Sequence, residues 1–98
     1  MLVNSNELTQ YILGKLDTTE TAVRQQLHRA GLHGALVRNT VVNNTLVNVY
    51  ELDLVIEYFE FLMSKKGLNN RLQKKFLNLW EDYIQVLEDF RYDFYRCT

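Results

Sequence analysis

The pattern of apolar and polar positions divides the chain into helical stretches separated by one β-rich interval. Leu8, Ile12 and Leu16 recur every fourth residue with Tyr11 beside them, which predicts a first helix from about Ser5 to Leu16. Gly14 weakens its last turn. In the next stretch, "DTTETAVRQQLHRAGL", Val23, Leu27 and Ala30 form a second apolar stripe. Asp17 and Glu20 have the spacing of a capping box, and Gly31 followed by Leu32 has the form of a left-handed helix end with its apolar contact. At about 100° per residue, Thr21, Gln25 and His28 point away from the stripe, with Arg24 and Arg29 on its flanks.

The interval "GALVRNTVVNNTLVNVYEL" is rich in β-branched residues, which suit a pleated strand better than a helix. Asn43-Asn44 stands at its middle, and asparagine tolerates the positive φ of a tight hairpin turn. That turn would pair Val42 with Thr45, Val41 with Leu46, Asn39 with Asn48 and Val37 with Tyr50. Val37, Val41, Leu46 and Tyr50 would then share one face. A continuous helix with Val42, Leu46, Val49 and Ile56 as its stripe is the alternative.

From about Tyr50 the helical period returns. Leu52, Val55, Ile56, Phe59, Leu62 and Met63 make a wide apolar face, and "SKKGLNN" has the composition of a helix end, with Gly67 after two lysines. The last helix, about Asn70 to Tyr95, carries Phe76, Trp80, Tyr83, Leu87, Phe90 and Phe94 at spacings of four and three. The pattern as a whole predicts a mainly α domain over residues 1–98. It has about four helices, a short hairpin between the second and third, and a long C-terminal helix. Residues 5–52 form one half and residues 50–95 a helical hairpin suited to assembly.

Composition narrows the class. The chain has 98 residues, no proline, a hydrophobic share of 47% and a net charge of −1, values of a globular protein without a global pull towards nucleic acid or anionic lipid. Its one cysteine, Cys97, cannot form an internal disulfide, and a reducing compartment fits. The opening "MLVNSNELTQ" has neither basic nor apolar signal character, and no run approaches the ~20 apolar residues of a membrane span, so a cytoplasmic location is expected.

Catalytic chemistry has little footing. His28, His33 and Cys97 lack zinc-ligand spacing, and neither a phosphate loop nor a nucleophile elbow occurs. Glu81-Asp82 and Glu88-Asp89 read as a solvated carboxylate face. The expectation is a non-enzymatic protein with no metal and no cofactor.

The side chains best suited to a ligand lie on the second helix. "NELTQYILGKLDTTETAVRQQLHRAGL" has two short helices, a glycine near the turn, and a second helix exposing polar side chains. With the candidate hairpin that follows, "TETAVRQQLHRAGL" and "VNVYEL" resemble the winged helix-turn-helix DNA-binding family over residues 5–52. The resemblance implies that Thr21, Gln25 and His28 face bases. It also implies that Arg24, Arg29 and the wing residues Arg38, Asn43 and Asn44 face phosphates or the minor groove.

Two functions follow. The first is a small regulator that reads double-stranded DNA with its N-terminal half and forms a homodimer through Phe76, Trp80, Tyr83, Leu87, Phe90 and Phe94. The second is a protein-interaction module, an adaptor, inhibitor or phage or viral accessory protein, using the same aromatic, acidic helices. Charge placement bears on the choice: residues 1–49 hold Lys15, Arg24, Arg29 and Arg38 against Glu7, Asp17 and Glu20.

Overall fold

Asn4 starts the first helix. Its side-chain oxygen accepts the Glu7 amide hydrogen at 2.8 Å, and the chain turns from a short strand directly into α1 (Ser5–Lys15). In the computed structural model, which describes residues 1–64 and 70–96 with side chains for 1–64 and 79–94, three further helices follow: α2 (Glu20–Ala30), α3 (Leu52–Ser64) and α4 (Asn70–Arg96). Strands β1 (Leu2–Asn4), β2 (Leu36–Val42) and β3 (Thr45–Glu51) form an antiparallel sheet of order β1-β3-β2. The protein is mainly α-helical with this small sheet. Among the described residues no helix is long and apolar enough to cross a membrane.

The boundaries of α2 differ from the sequence expectation at both ends. Thr19, not Asp17, is the cap, its Oγ1 accepting the Ala22 amide hydrogen at 3.2 Å. This places Glu20 in the first turn, where a carboxylate complements the helix dipole, and four residues before Arg24, with which it pairs at 2.9 Å. At the other end Gly31 is right-handed (φ −59°, ψ −40°), and the chain continues through a π-helical turn over Gly31–Ala35. Gly31 allows a close approach: a Cβ there would lie 3.1 Å from the Tyr50 ring, a tight contact that the ring would have to yield to. The left-handed residue is Gly34 (φ 99°), and Leu32, 74% exposed, makes no capping contact with the core.

The hairpin between α2 and α3 is present, and the continuous helix is excluded. Asn43 and Asn44 have φ of 51° and 63°, and Val42↔Thr45, Val41↔Leu46 and Asn39↔Asn48 pair as expected. A bulge between Leu36 and Arg38 then shifts the register, so Leu36 rather than Val37 faces Tyr50. The expected apolar face is corrected with it. Val41 and Leu46 are 67% and 66% exposed and Val37 is exposed too, whereas Val47, Val49 and Tyr50 are buried. Leu46, Asn48 and Tyr50 alternate onto one face, but only its Tyr50 end belongs to the core. Replacing Asn44 with glycine should leave the melting temperature unchanged or slightly higher. Replacing both asparagines with alanine should cost roughly 1–2 kcal/mol per left-handed position, measured by denaturant unfolding.

One buried cluster draws on every helix. Leu8, Ile12, Val23 and Leu27 meet Leu52, Val55, Ile56 and Phe59 of α3 and Tyr83, Leu87 and Phe90 of α4. Phe59 stacks on Tyr83 with ring centroids 5.0 Å apart, and Tyr11 meets Phe90 edge-on at the same distance. Arg91 Nη1 pairs with Asp53 Oδ1 at 2.8 Å, tying α4 to α3. The expected helix end at Gly67 lies outside the described residues.

These contacts correct which α4 residues a second chain could reach. Trp80, Tyr83, Leu87 and Phe90 are buried inside this chain and are not free to contact a second one. The physical reason is that α4 lies against α3 and α1, so its seam finds partners within the monomer. Phe94 is 45% exposed, and Phe76 lies outside the described side chains.

The Tyr11 hydroxyl donates to Asp93 Oδ2 at 2.8 Å. Burial, with the adjacent Asp93 carboxylate, pushes it from 10.0 up to about 12. Burial raises the Tyr58 and Tyr83 hydroxyls as well. A raised tyrosine stabilises the fold while protonated, and that contribution is lost as pH rises through the folded-state value. The tyrosine contribution should therefore stay level up to about pH 10.0 and be lost between there and about 12. Tyr11→Phe should flatten part of that fall in pH-dependent urea melts.

Candidate nucleic-acid interface on α2

The buried stripe of α2 fixes which side chains face outward. With Val23, Leu27 and Ala30 held in the core, Thr21, Arg24, Gln25, His28 and Arg29 are all exposed and together line one open depression. The structure thus brings together all five α2 residues singled out from the sequence. It does not bring the other three to them: Arg38 lies on β2 opposite Val49, and Asn43 and Asn44 form the hairpin tip, none of them lining that depression.

The two arginines are differently committed. Arg24 donates through Nε and Nη2 to Glu20 Oε1 (3.0 and 2.9 Å) and through Nη2 to Asn6 Oδ1 (3.1 Å), which holds the guanidinium over the junction of α1 and α2. Arg29 lies on the opposite flank, where its charge acts on the Tyr58 hydroxyl against the upward effect of burial. Beyond it, His33 packs its ring against Tyr58 and Phe61 at 5.0 and 5.8 Å and takes no part in the α2 face.

A second, more enclosed cleft lies behind this face, and sequence reasoning missed it. Ser5 and Thr9 of α1, Arg24, Leu27 and His28 of α2, and Asn48 and Tyr50 of β3 line it. Ser5 and Thr9 are the buried polar residues of α1, and they continue the Leu8–Ile12 stripe at helical spacing. Two hydroxyls on a buried stripe were the available signal.

Among the described residues no group of three or more His, Cys, Asp or Glu side chains could hold a metal ion. Glu81, Asp82 and Glu88 are exposed on α4, and Asp89 accepts from Gln85 Nε2 at 3.1 Å. No protein-family model, curated protein or solved structure matches the chain.

Proposed function

We propose that the protein is a small, non-enzymatic, cytoplasmic DNA-binding regulator whose α2 outer face reads duplex DNA. The observation that carries this reading is the convergence of Thr21, Arg24, Gln25, His28 and Arg29 on one exposed helix face, with a β-hairpin directly after it in the chain. Those residue types suit base and backbone recognition, since a glutamine amide matches adenine bidentately and guanidinium groups match guanine edges or phosphates. The hairpin would act as a wing, with Arg38, Asn43 and Asn44 against the neighbouring backbone. The winged helix-turn-helix family places a helix ahead of the helix pair. Here Phe90 of α4 packs on Tyr11 of α1, so the C-terminal helices give α1 that support from the other end of the chain.

Fluorescence anisotropy on randomised and selected duplexes tests the roles. Arg29→Ala should weaken binding to every sequence, and Arg24→Ala less so because Glu20 already engages that side chain. Gln25→Ala should relax base preference at one position, by about 1–3 kcal/mol for a bidentate contact. Equal losses on all duplexes for Gln25→Ala would remove the base-reading role.

The hairpin supports a second reading, a protein-interaction module. Val41 and Leu46 face each other across the strands at the surface, with exposed Leu32 and Val37 near the base of the hairpin. Any pairing of two chains through α4 would have to use rings at its surface, such as Phe94, rather than those it buries.

A further inference from the structure

We propose that the cleft between α1, α2 and β3 is an oxyanion site that takes one phosphate group. The cleft encloses about 240 Å³ and is lined by hydroxyl, phenol, amide, imidazole and guanidinium groups, with Leu27 as its apolar wall and no carboxylate among its lining. Thr9 is the decisive member. It is 0% exposed, and its Oγ1 is buried without a hydrogen-bond partner. Native interiors rarely leave such a group unpaired, and an orphaned hydroxyl in the lining of a polar cleft calls for a ligand atom or water opposite it.

The surroundings favour an anion. Ser5 opens α1, whose first amides have no intrahelical partner and carry the positive end of the helix dipole; the Asn4 side chain satisfies the Glu7 amide. Arg24 brings guanidinium donors to the cleft, oriented by Glu20 and Asn6 through Nε and Nη2, with the Glu20 carboxylate offsetting part of its charge. His28 adds a ring nitrogen. Asn48 and Tyr50 supply donors from the sheet side, and among the described residues neither side chain is engaged in a hydrogen bond. The helix terminus and orphaned hydroxyl of α1 and the guanidinium of α2 thus converge on one cleft. The site stands on this geometry and holds whether or not α2 reads DNA.

The phosphate has two sources, a nucleic-acid backbone or a free phosphorylated small molecule, and one titration series separates them. The full chain, labelled with ¹⁵N, is titrated with inorganic phosphate at constant ionic strength, with chloride as the control. Saturable shifts confined to the amides of Ser5, Thr9, Asn48 and Tyr50 are expected. Thr9→Val keeps the shape and removes only the hydroxyl, so it should melt no lower than the native chain while binding phosphate about tenfold more weakly. Should Thr9→Val fail to fold, Ser5→Ala carries the same comparison. Shifts that never saturate, that scatter over surface arginines and lysines, or that are unchanged in these variants would overturn the site. A short duplex added in place of phosphate then identifies the source. Movement of the same amides assigns the phosphate to DNA, and their indifference to a duplex, with free phosphate still bound, assigns it to a small molecule. A duplex that fails to bind anywhere would remove the DNA reading and leave the phosphate result intact.

Discussion

Replacing Phe90 with glutamate is expected to unfold the whole chain, not to separate two folded copies. Phe90 is 2% exposed, edge-on to Tyr11 of α1 and stacked on Phe94 at 4.4 Å. Truncating such a ring costs about 3–5 kcal/mol through lost burial and the cavity left behind. A carboxylate adds an unpaired charge in an apolar setting, so the total approaches or exceeds the roughly 5–15 kcal/mol that stabilises an ordinary domain. Circular dichroism should show loss of the cooperative thermal transition. Phe94→Glu is the control: its ring is half exposed, and the change should cost about 1 kcal/mol through the lost stack. A folded, monomeric Phe90→Glu protein would contradict the packing of α4 on α1.

Phe59→Ala is expected to be the next most damaging change. The ring is fully buried at the centre of α3, stacked on Tyr83 and edge-on to Tyr58 at 5.2 Å. Cavity formation of about 3–5 kcal/mol and loss of ring contacts act together here. For a domain of this size each kcal/mol corresponds to roughly 4–8 °C, so the melting temperature should fall by at least about 12 °C. A Tyr83→Ala, Phe59→Ala double mutant should be less destabilised than the sum of the singles, because the two rings share one contact.

Local chemistry makes parts of this fold legible in the sequence. Asn43-Asn44 specifies a turn with two positive φ angles, and that turn sets the outer register of the hairpin. The stripes Leu8–Ile12, Val23–Leu27–Ala30 and Leu52–Val55–Ile56–Phe59 mark the core faces because helical period needs no distant partner to be seen. Where sequence and structure part, the cause is non-local. Strand β1 is three residues long and exists only because Val3 and its neighbours pair with Tyr50 and its neighbours some 47 positions away. The face of the hairpin depends on where α1 and α2 end: strand alternation marks two faces, but not which one the core reaches. Gly31 and Gly34 both fit a helix end, and only the folded chain separates their roles, the Tyr50 ring approaching Gly31 and the left-handed turn falling at Gly34. The aromatic seam of α4 has the pattern of an interface because its internal partners, Tyr11 and Phe59, lie on other helices. On α2 the reverse holds. Each outward residue follows from the inward stripe, so the candidate reading face can be drawn in full from the sequence.

Duplex-DNA binding at two salt concentrations tests the proposed function most directly. Arg29 and Arg38, with a partly engaged Arg24, offer two to three phosphate contacts, and each contact contributes a slope of about −0.9 in log K against log salt. Raising salt from about 50 to 200 mM should therefore weaken binding roughly tenfold to fortyfold. Binding that is undetectable at the lower concentration, or that is indifferent to the change, would contradict the assignment of α2 as a DNA-reading helix.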